Sequence, residues 1–336
     1  MTRLITAPGG RRLNYLRLSV TDLCNLRCFY CMPPEGVAKL GHTDILSYEE
    51  MLRLIKIAAG LGMSKLRLTG GEPLVRRGLT GFLKKLHDAK IIADMRLTTN
   101  GVLLAPMAEE LKNCGVKGLN ISLDAVDAAI YAQMTGQNKE NGQKMAKLAW
   151  AGFTAALQCG FETKVNCVPL RGINESQLIP LARLAAEYPV EVRFIEHMPI
   201  GPSGIWNPER FLSSAEIKNR LSEEMGELSP LPVSDPSAPA RRFSFPGAKG
   251  SLGFISPLSG HFCGSCNRLR LTADGRLKPC LLTGKEIKLR EPMRSGLSDE
   301  KLADLFLAAA GEKPLCHLDN DEPAGPEKRG MSRIGG

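Results

Sequence analysis

Along the first two hundred residues, short stretches alternate apolar and polar side chains with a period of two, and longer stretches of helical period separate them. The alternation predicts strands at Asn14–Val20, Lys65–Thr69, Met95–Thr98, Leu119–Leu123, Thr163–Val168 and Glu191–Ile195. The best marked helix starts at Ser47, whose hydroxyl can cap the first turn while Glu50 reaches back. Met51, Leu54, Ile55, Ala58 and Leu61 share one face of it, and Gly62 stands where it should stop. Strand and helix repeated six times predict a parallel sheet with helices outside.

The strands are unusual for that architecture. A parallel strand buried on both faces reads as a continuous apolar run, and these do not. Leu16 and Leu18 oppose Arg17 and Ser19, and Leu66 and Leu68 oppose Arg67 and Thr69. Leu97 opposes Arg96 and Thr98, Leu119 and Ile121 oppose Asn120 and Ser122, Val165 opposes Lys164 and Asn166, and Val192 opposes Arg193. If the apolar face meets the helices, the polar face lines a lumen. Six units would leave that lumen wider than the filled interior of an eight-unit barrel. Arg17, Arg67, Lys164 and Arg193 would be costly to bury there without anions. Asp124 or Glu196 could supply them, but four cations on one face favour a bound polyanion.

The pattern changes after Met198. Residues 199–260 are rich in Pro, Gly and Ser, with one expected helix at Ala215–Met225. In a chain of 336 residues this suggests a barrel over 1–200 and a second region over 201–336. Arg3, Arg11, Arg12 and Arg17 with no long apolar run argue against a secretory signal, and no stretch reaches the length of a membrane span. A formal charge of +9 raises the possibility of a nucleic-acid or membrane partner, yet the basic residues fall singly, which favours a discrete anionic ligand over either.

Cysteine spacing carries the chemistry. Six of the ten cysteines lie in two tight sets, which indicates metal ligation in a reducing, cytoplasmic compartment. Cys114, Cys159, Cys167 and Cys316 are most simply small buried hydrophobes. Cys24, Cys28 and Cys31 form C-x3-C-x2-C, and the next cysteine is Cys114. A closed zinc site needs four ligands, and a ferredoxin run supplies a fourth thiolate nearby. Three thiolates suit a [4Fe-4S] cluster with one iron open to a small molecule. Thr69-Gly70-Gly71-Glu72-Pro73 follows the second strand, where glycines let backbone approach a ligand closely. The second set is Cys263, Cys266 and Cys280, for which zinc competes because His261 could complete four ligands. After it, Arg268 and Arg270 share one strand face, where guanidinium forks suit phosphate oxygens.

The three-cysteine loop with Tyr30 just inside its last cysteine resembles the radical S-adenosylmethionine (SAM) enzymes. With the second set, the arginines after Cys266 and the terminal Gly335-Gly336, nearly the whole chain resembles the family of GTP 3′,8-cyclases that opens molybdenum cofactor biosynthesis. The resemblance implies an incomplete (βα)6 barrel of TIM type whose mouth is closed by a C-terminal α+β region. It implies two [4Fe-4S] clusters, one on Cys24, Cys28 and Cys31 that binds SAM, and one on Cys263, Cys266 and Cys280 that binds substrate. Tyr30, Gly71, Ser122 and Met198 would contact SAM. Arg17, Arg67, Thr98, Lys164, Arg193, Arg268, Leu269 and Arg270 would contact GTP, with Arg17, Gly335 and Gly336 supporting catalysis. The implied reaction cleaves SAM to a 5′-deoxyadenosyl radical, which takes the 3′ hydrogen of GTP. The carbon radical closes onto C8, and an electron and a proton complete 3′,8-cyclo-7,8-dihydro-GTP. Implied partners are a flavodoxin or ferredoxin and the downstream cyclic pyranopterin monophosphate synthase, with the chain a monomer or homodimer. Two other classes stay open: a radical SAM peptide-modifying enzyme, and a non-catalytic zinc protein that binds nucleic acid.

Overall fold

The structure is a computed structural model and describes residues 3–33, 35–36, 38, 40–200, 206–316 and 329–335. Six parallel strands follow one another in the chain: β1 (Tyr15–Ser19), β2 (Lys65–Thr69), β3 (Asp94–Thr99), β4 (Val116–Ser122), β5 (Glu162–Cys167) and β6 (Glu191–Ile195). Two match the expected bounds, and the others shift by one to three residues, the usual uncertainty at strand ends. Helices between them cover the outer face. Tyr48–Gly60 starts at a capping box in which Glu50 N donates to Ser47 Oγ (3.2 Å) and Ser47 N donates to Glu50 Oε2 (2.7 Å). It stops before Gly62, whose φ of +94° turns the chain toward β2.

Leu16, Leu18, Leu66, Leu68, Leu97, Leu119, Ile121, Val165 and Val192 are all fully buried against the helices. At about 1.5–3 kcal/mol for each large aliphatic side chain, this layer fixes which strand face turns inward. The polar alternates are thereby committed to the lumen.

The C-terminal region does more than close the mouth. It contributes β7 (Ser251–Ile255), parallel to β6, and β8 (Arg268–Leu271), parallel to β1. The sheet order is therefore β8-β1-β2-β3-β4-β5-β6-β7, with short antiparallel strands beyond each edge. Residues 199–260, expected to hold a single helix, also carry strand Arg241–Ser244 and β7 in addition to helix Ser214–Met225. A second helix, Asp299–Gly311, packs beside Tyr48–Gly60 and is tied to it by Arg53–Asp299 (2.7 Å). No described helix is long and apolar enough to cross a membrane.

Candidate active site

The lumen is a cavity of about 820 Å³ lined by the inward strand face and by the loop after β1. That loop carries Cys24, Cys28 and Cys31, and the Gly-Gly-Glu segment after β2 is sewn to it through the backbone. Gly71 N donates to Thr21 O and Glu72 N donates to Leu23 O, both at 2.8 Å. Glycine is required for this approach: a Cβ on Gly70 would lie 2.4 Å from Thr21 O, and one on Gly71 2.2 Å from Leu23 O. Glu72 is buried and accepts from Leu74 N (3.0 Å), Thr99 Oγ1 (2.8 Å) and Asn100 N (2.7 Å), which pins the segment to the end of β3. Burial pushes its carboxyl up to about 7 against the pull of those donors.

Tyr30 lines the same space, and its hydroxyl donates to Asp124 Oδ2 (2.6 Å) while Val168 N donates to Asp124 Oδ1 (2.8 Å). Burial raises Asp124 to about 6. The weaker alternative, that Asp124 or Glu196 neutralises the lumenal arginines, finds no support in the ion pairs of the described residues. Asp124 serves Tyr30, and Glu196 takes Ser214 N, Leu258 N and Ser259 N at 2.9–3.0 Å outside the cation cluster.

The cations instead fall into two groups. Strand register sets Arg270, Arg17, Arg67 and Arg96 side by side across four adjacent strands. Lys164 and Arg193, on the opposite wall, are held by carboxylates: Lys164 by Glu162 (3.0 Å) and Glu191 (3.2 Å), Arg193 by Glu191 (2.6 Å). Burial opposes ionisation of Glu162, yet Arg96 and Lys164 draw it down to about 2. Arg67, Arg268 and Arg270 have no carboxylate within ion-pair reach among the described residues. Arg67 donates to the Tyr15 hydroxyl and to Thr98 Oγ1 (3.4 Å), Arg268 to Ser237 O (2.8 Å) and Arg270 to Gly335 O (2.7 Å). Burial lowers Arg270 to about 10, with Arg268 adding to the shift. Burial, then Arg270 and Arg67, lowers Arg17 as well. Arg96 is held by Asp94 (2.9 Å) and Glu162 (2.8 Å), whereas buried guanidiniums without such partners suit an anion.

Every residue expected to contact SAM or GTP lines this one cavity except Leu269. Strand alternation turns the Leu269 side chain into the apolar core, fully buried on the face opposite Arg268 and Arg270, so its side chain meets no ligand in the lumen. Gly335 has φ +75°, and Met331 and Ser332 just before it line the cavity; Gly336 lies outside the described residues.

Burial raises all three thiols of the first set, Cys24 to about 11, and the neighbouring cysteines and Asp124 raise Cys28 and Cys31 further. Three thiols whose ionised forms would repel one another, beside an open space, suit a cationic iron–sulfur core, which favours the thiolate form. Among the described residues no three Cys, His, Asp or Glu side chains converge tightly enough to hold a metal ion. A cluster is therefore supported by thiol chemistry and spacing rather than by a closed ligand cage. The second set flanks the cavity through its neighbours Phe262, Arg268 and Leu281. Cys266 is lowered to about 7, because Lys313 and Arg268 outweigh its burial. Lys313 Nζ donates to Arg268 O (2.9 Å) and Pro279 O (2.7 Å), and Arg11 donates to Cys263 O (2.7 Å).

Sequence reasoning missed Tyr15, Glu162, Glu191 and Lys313. The first three occupy inward positions of strands whose bounds were legible, so carrying the alternation one step further would have reached them. Lys313 had no signal, since only the fold brings it to Cys266.

Comparison with known proteins places this geometry in a family. Residues 18–185 match the radical SAM superfamily, and residues 190–318 match the domain described as Molybdenum Cofactor Synthesis C. The GTP 3′,8-cyclase of Desulforamulus reducens is 43% identical over 328 residues, covering 97% of this chain and 98% of that protein. Those of Syntrophomonas wolfei and Pelotomaculum thermopropionicum are each 44% identical with the same coverage. Among solved structures, Streptococcus suis SuiB bound to S-adenosylmethionine shares the fold, with TM-score 0.56 and 14% identity over 96% of this chain and 77% of that one. The chain belongs to the GTP 3′,8-cyclase family of the radical SAM superfamily.

Proposed function

We propose that this chain converts GTP to (8S)-3′,8-cyclo-7,8-dihydro-GTP, the first step of molybdenum cofactor biosynthesis. One observation carries the reading: the three-cysteine loop and the row Arg270, Arg17, Arg67 face a single cavity. A radical source and a polyphosphate site in one lumen suit a nucleotide whose sugar is to lose hydrogen.

Cys24, Cys28 and Cys31 would hold a [4Fe-4S] cluster and leave one iron for SAM, whose reductive cleavage supplies a 5′-deoxyadenosyl radical. The protein's own groups do the rest. Gly71, Ser122, Tyr30 and Met198, which line the cavity with the cysteine loop, orient SAM, with Asp124 fixing the Tyr30 ring. Arg17, Arg67, Arg268 and Arg270 bind phosphate oxygens, and Thr98 Oγ1 accepts from Arg67 (3.4 Å). Lys164 and Arg193 join them when phosphate replaces Glu191 as partner. Charge thereby orients the nucleotide lengthwise. The enclosing strands keep solvent from a reactive carbon and place one hydrogen in reach.

The second set, Cys263, Cys266 and Cys280, would hold a second [4Fe-4S] cluster that orients the purine, with Arg11 and Lys313 fixing the segments that carry its ligands. The tail reaches the mouth, where Gly335 meets Arg270, and we assign Gly335 and Gly336 a supporting part in hydrogen abstraction. We assign 1–200 to the radical SAM partial barrel and 201–336 to the region that carries the second cysteine set, the strand of Arg268 and Arg270, and the Gly-Gly tail. An acidic one-electron carrier such as flavodoxin or ferredoxin suits the +9 chain, and a cyclic pyranopterin monophosphate synthase would consume the product. A peptide substrate gives no reason for the arginine row. Anaerobic incubation of the iron-loaded protein with SAM, dithionite and GTP should yield methionine, 5′-deoxyadenosine and the cyclised nucleotide. Peptide binding with no GTP turnover would replace this reading with the peptide-modifying one.

A further inference from the structure

We infer that Tyr15 is a nucleotide-positioning residue, the centre around which the phosphate-binding cations are arranged and a hydroxyl donor to the phosphates themselves; this rests on the cavity being a GTP site. Tyr15 opens β1 and points inward, in register with Arg268 on one side and Lys65 on the other. Its ring is flanked by both cations, Lys65 Nζ and the Arg268 guanidinium each lying 5.7 Å from the ring centroid. Arg268 is held on its other side by Phe262, at 5.6 Å. The Tyr15 hydroxyl accepts from Arg67 Nε. One phenol thus meets three cations drawn from the two strands that flank it, Lys65 and Arg67 on β2 and Arg268 on β8.

The hydrogen-bond inventory gives the hydroxyl a second job. It accepts from Arg67, and among the described residues no acceptor takes its own hydrogen. That hydrogen sits in a lumen where Arg67 and Arg268 lack carboxylate partners among the described residues, so a phosphate oxygen seated on those guanidiniums also meets the phenol. Burial raises the phenol's pKa less than Arg67, Arg17 and Arg268 lower it, leaving it at about 8, and this polarises the O–H toward an anion. Lys65, which also pairs with Asp235 (3.5 Å) and Asp94 (4.0 Å), lines the lumen with its ammonium over the Tyr15 ring.

Two variants separate the ring from the hydroxyl. Tyr15→Phe keeps both cation–π contacts and removes the acceptor for Arg67 and the donor for phosphate. Anaerobic calorimetry on the iron-loaded protein should show GTP affinity falling roughly tenfold or more, with guanosine affinity within twofold of wild type. Turnover should show a raised KM for GTP with kcat little changed, and iron content should be unaltered. Tyr15→Leu, which also releases Arg268 and Lys65, should lose more GTP affinity than Tyr15→Phe. Unchanged GTP binding in Tyr15→Phe, or equal losses for GTP and guanosine, would overturn the proposal while leaving the nucleotide reading intact. Failure of the wild-type protein to bind GTP would overturn that reading itself, and the proposal with it.

Discussion

Arg270→Ala tests the physical core of the site, because it should weaken the ligand and spare the empty protein. Arg270 faces the cavity beside Arg17, has no carboxylate partner among the described residues, and is driven down to about 10 by burial and by Arg268. A guanidinium in that setting is held against repulsion. Removing it relieves Arg17, on which burial acts most strongly and the Arg270 charge next. The thermal midpoint of the nucleotide-free protein should therefore stay level or rise. With GTP the sign reverses: a charged hydrogen bond to phosphate contributes about 1.5–3 kcal/mol, so affinity should fall roughly ten- to hundredfold. At a GTP concentration of about one hundred times the wild-type Kd, ligand stabilisation is about 2.7 kcal/mol; a tenfold weaker variant retains about 1.4 kcal/mol. Anaerobic thermal scans with and without GTP, run beside guanosine, measure both quantities. A lower midpoint without nucleotide, or an undiminished GTP-dependent rise, would refute the reasoning.

The other predictions address separate parts of the account. Cys28→Ala should abolish 5′-deoxyadenosine formation under dithionite, read by chromatography, because two thiolates cannot keep a site-differentiated cluster. Cys266→Ser should still cleave SAM slowly but yield no cyclised nucleotide; unchanged product would make that set structural only. Glu72→Gln should gain stability relative to wild type as pH rises from about 4.5 to 7. The folded carboxyl is raised to about 7, so its favourable protonated form is lost through that window; comparing midpoints of the two proteins cancels His197, which burial lowers to about 4 and which acts in the opposite direction. Gly335→Ala, at φ +75°, should keep iron and GTP affinity while 5′-deoxyadenosine formation falls, since the strain of about 1 kcal/mol displaces the tail from Arg270.

The barrel was legible because its information is local. Two-residue alternation assigned Leu16 to the helices and Arg17 to the lumen, and the fully buried Leu16 confirms the face. The capping box at Ser47 and Glu50 was equally local. What could not be read is pairing between distant segments. Nothing near Ser251 or Arg268 says that one strand joins β6 and the other β1, although that pairing sets Arg270 beside Arg17. The carboxylates that hold Lys164 and Arg193 escaped notice for a related reason. Asp124 and Glu196, the alternative weighed against a bound polyanion, lie just past strand ends, whereas Glu162 and Glu191 face Lys164 and Arg193 from within the strands. Leu269 was carried over with its neighbours by the resemblance, against the alternation that turns it into the core.

The central claim is that one cavity delivers a radical to the ribose of GTP, and GTP labelled with deuterium at C3′ tests it most directly. Iron-loaded protein, SAM and dithionite under anaerobic conditions should transfer that deuterium into 5′-deoxyadenosine in step with formation of the cyclised nucleotide. Formation of 5′-deoxyadenosine without deuterium, while GTP remains intact, would contradict the account.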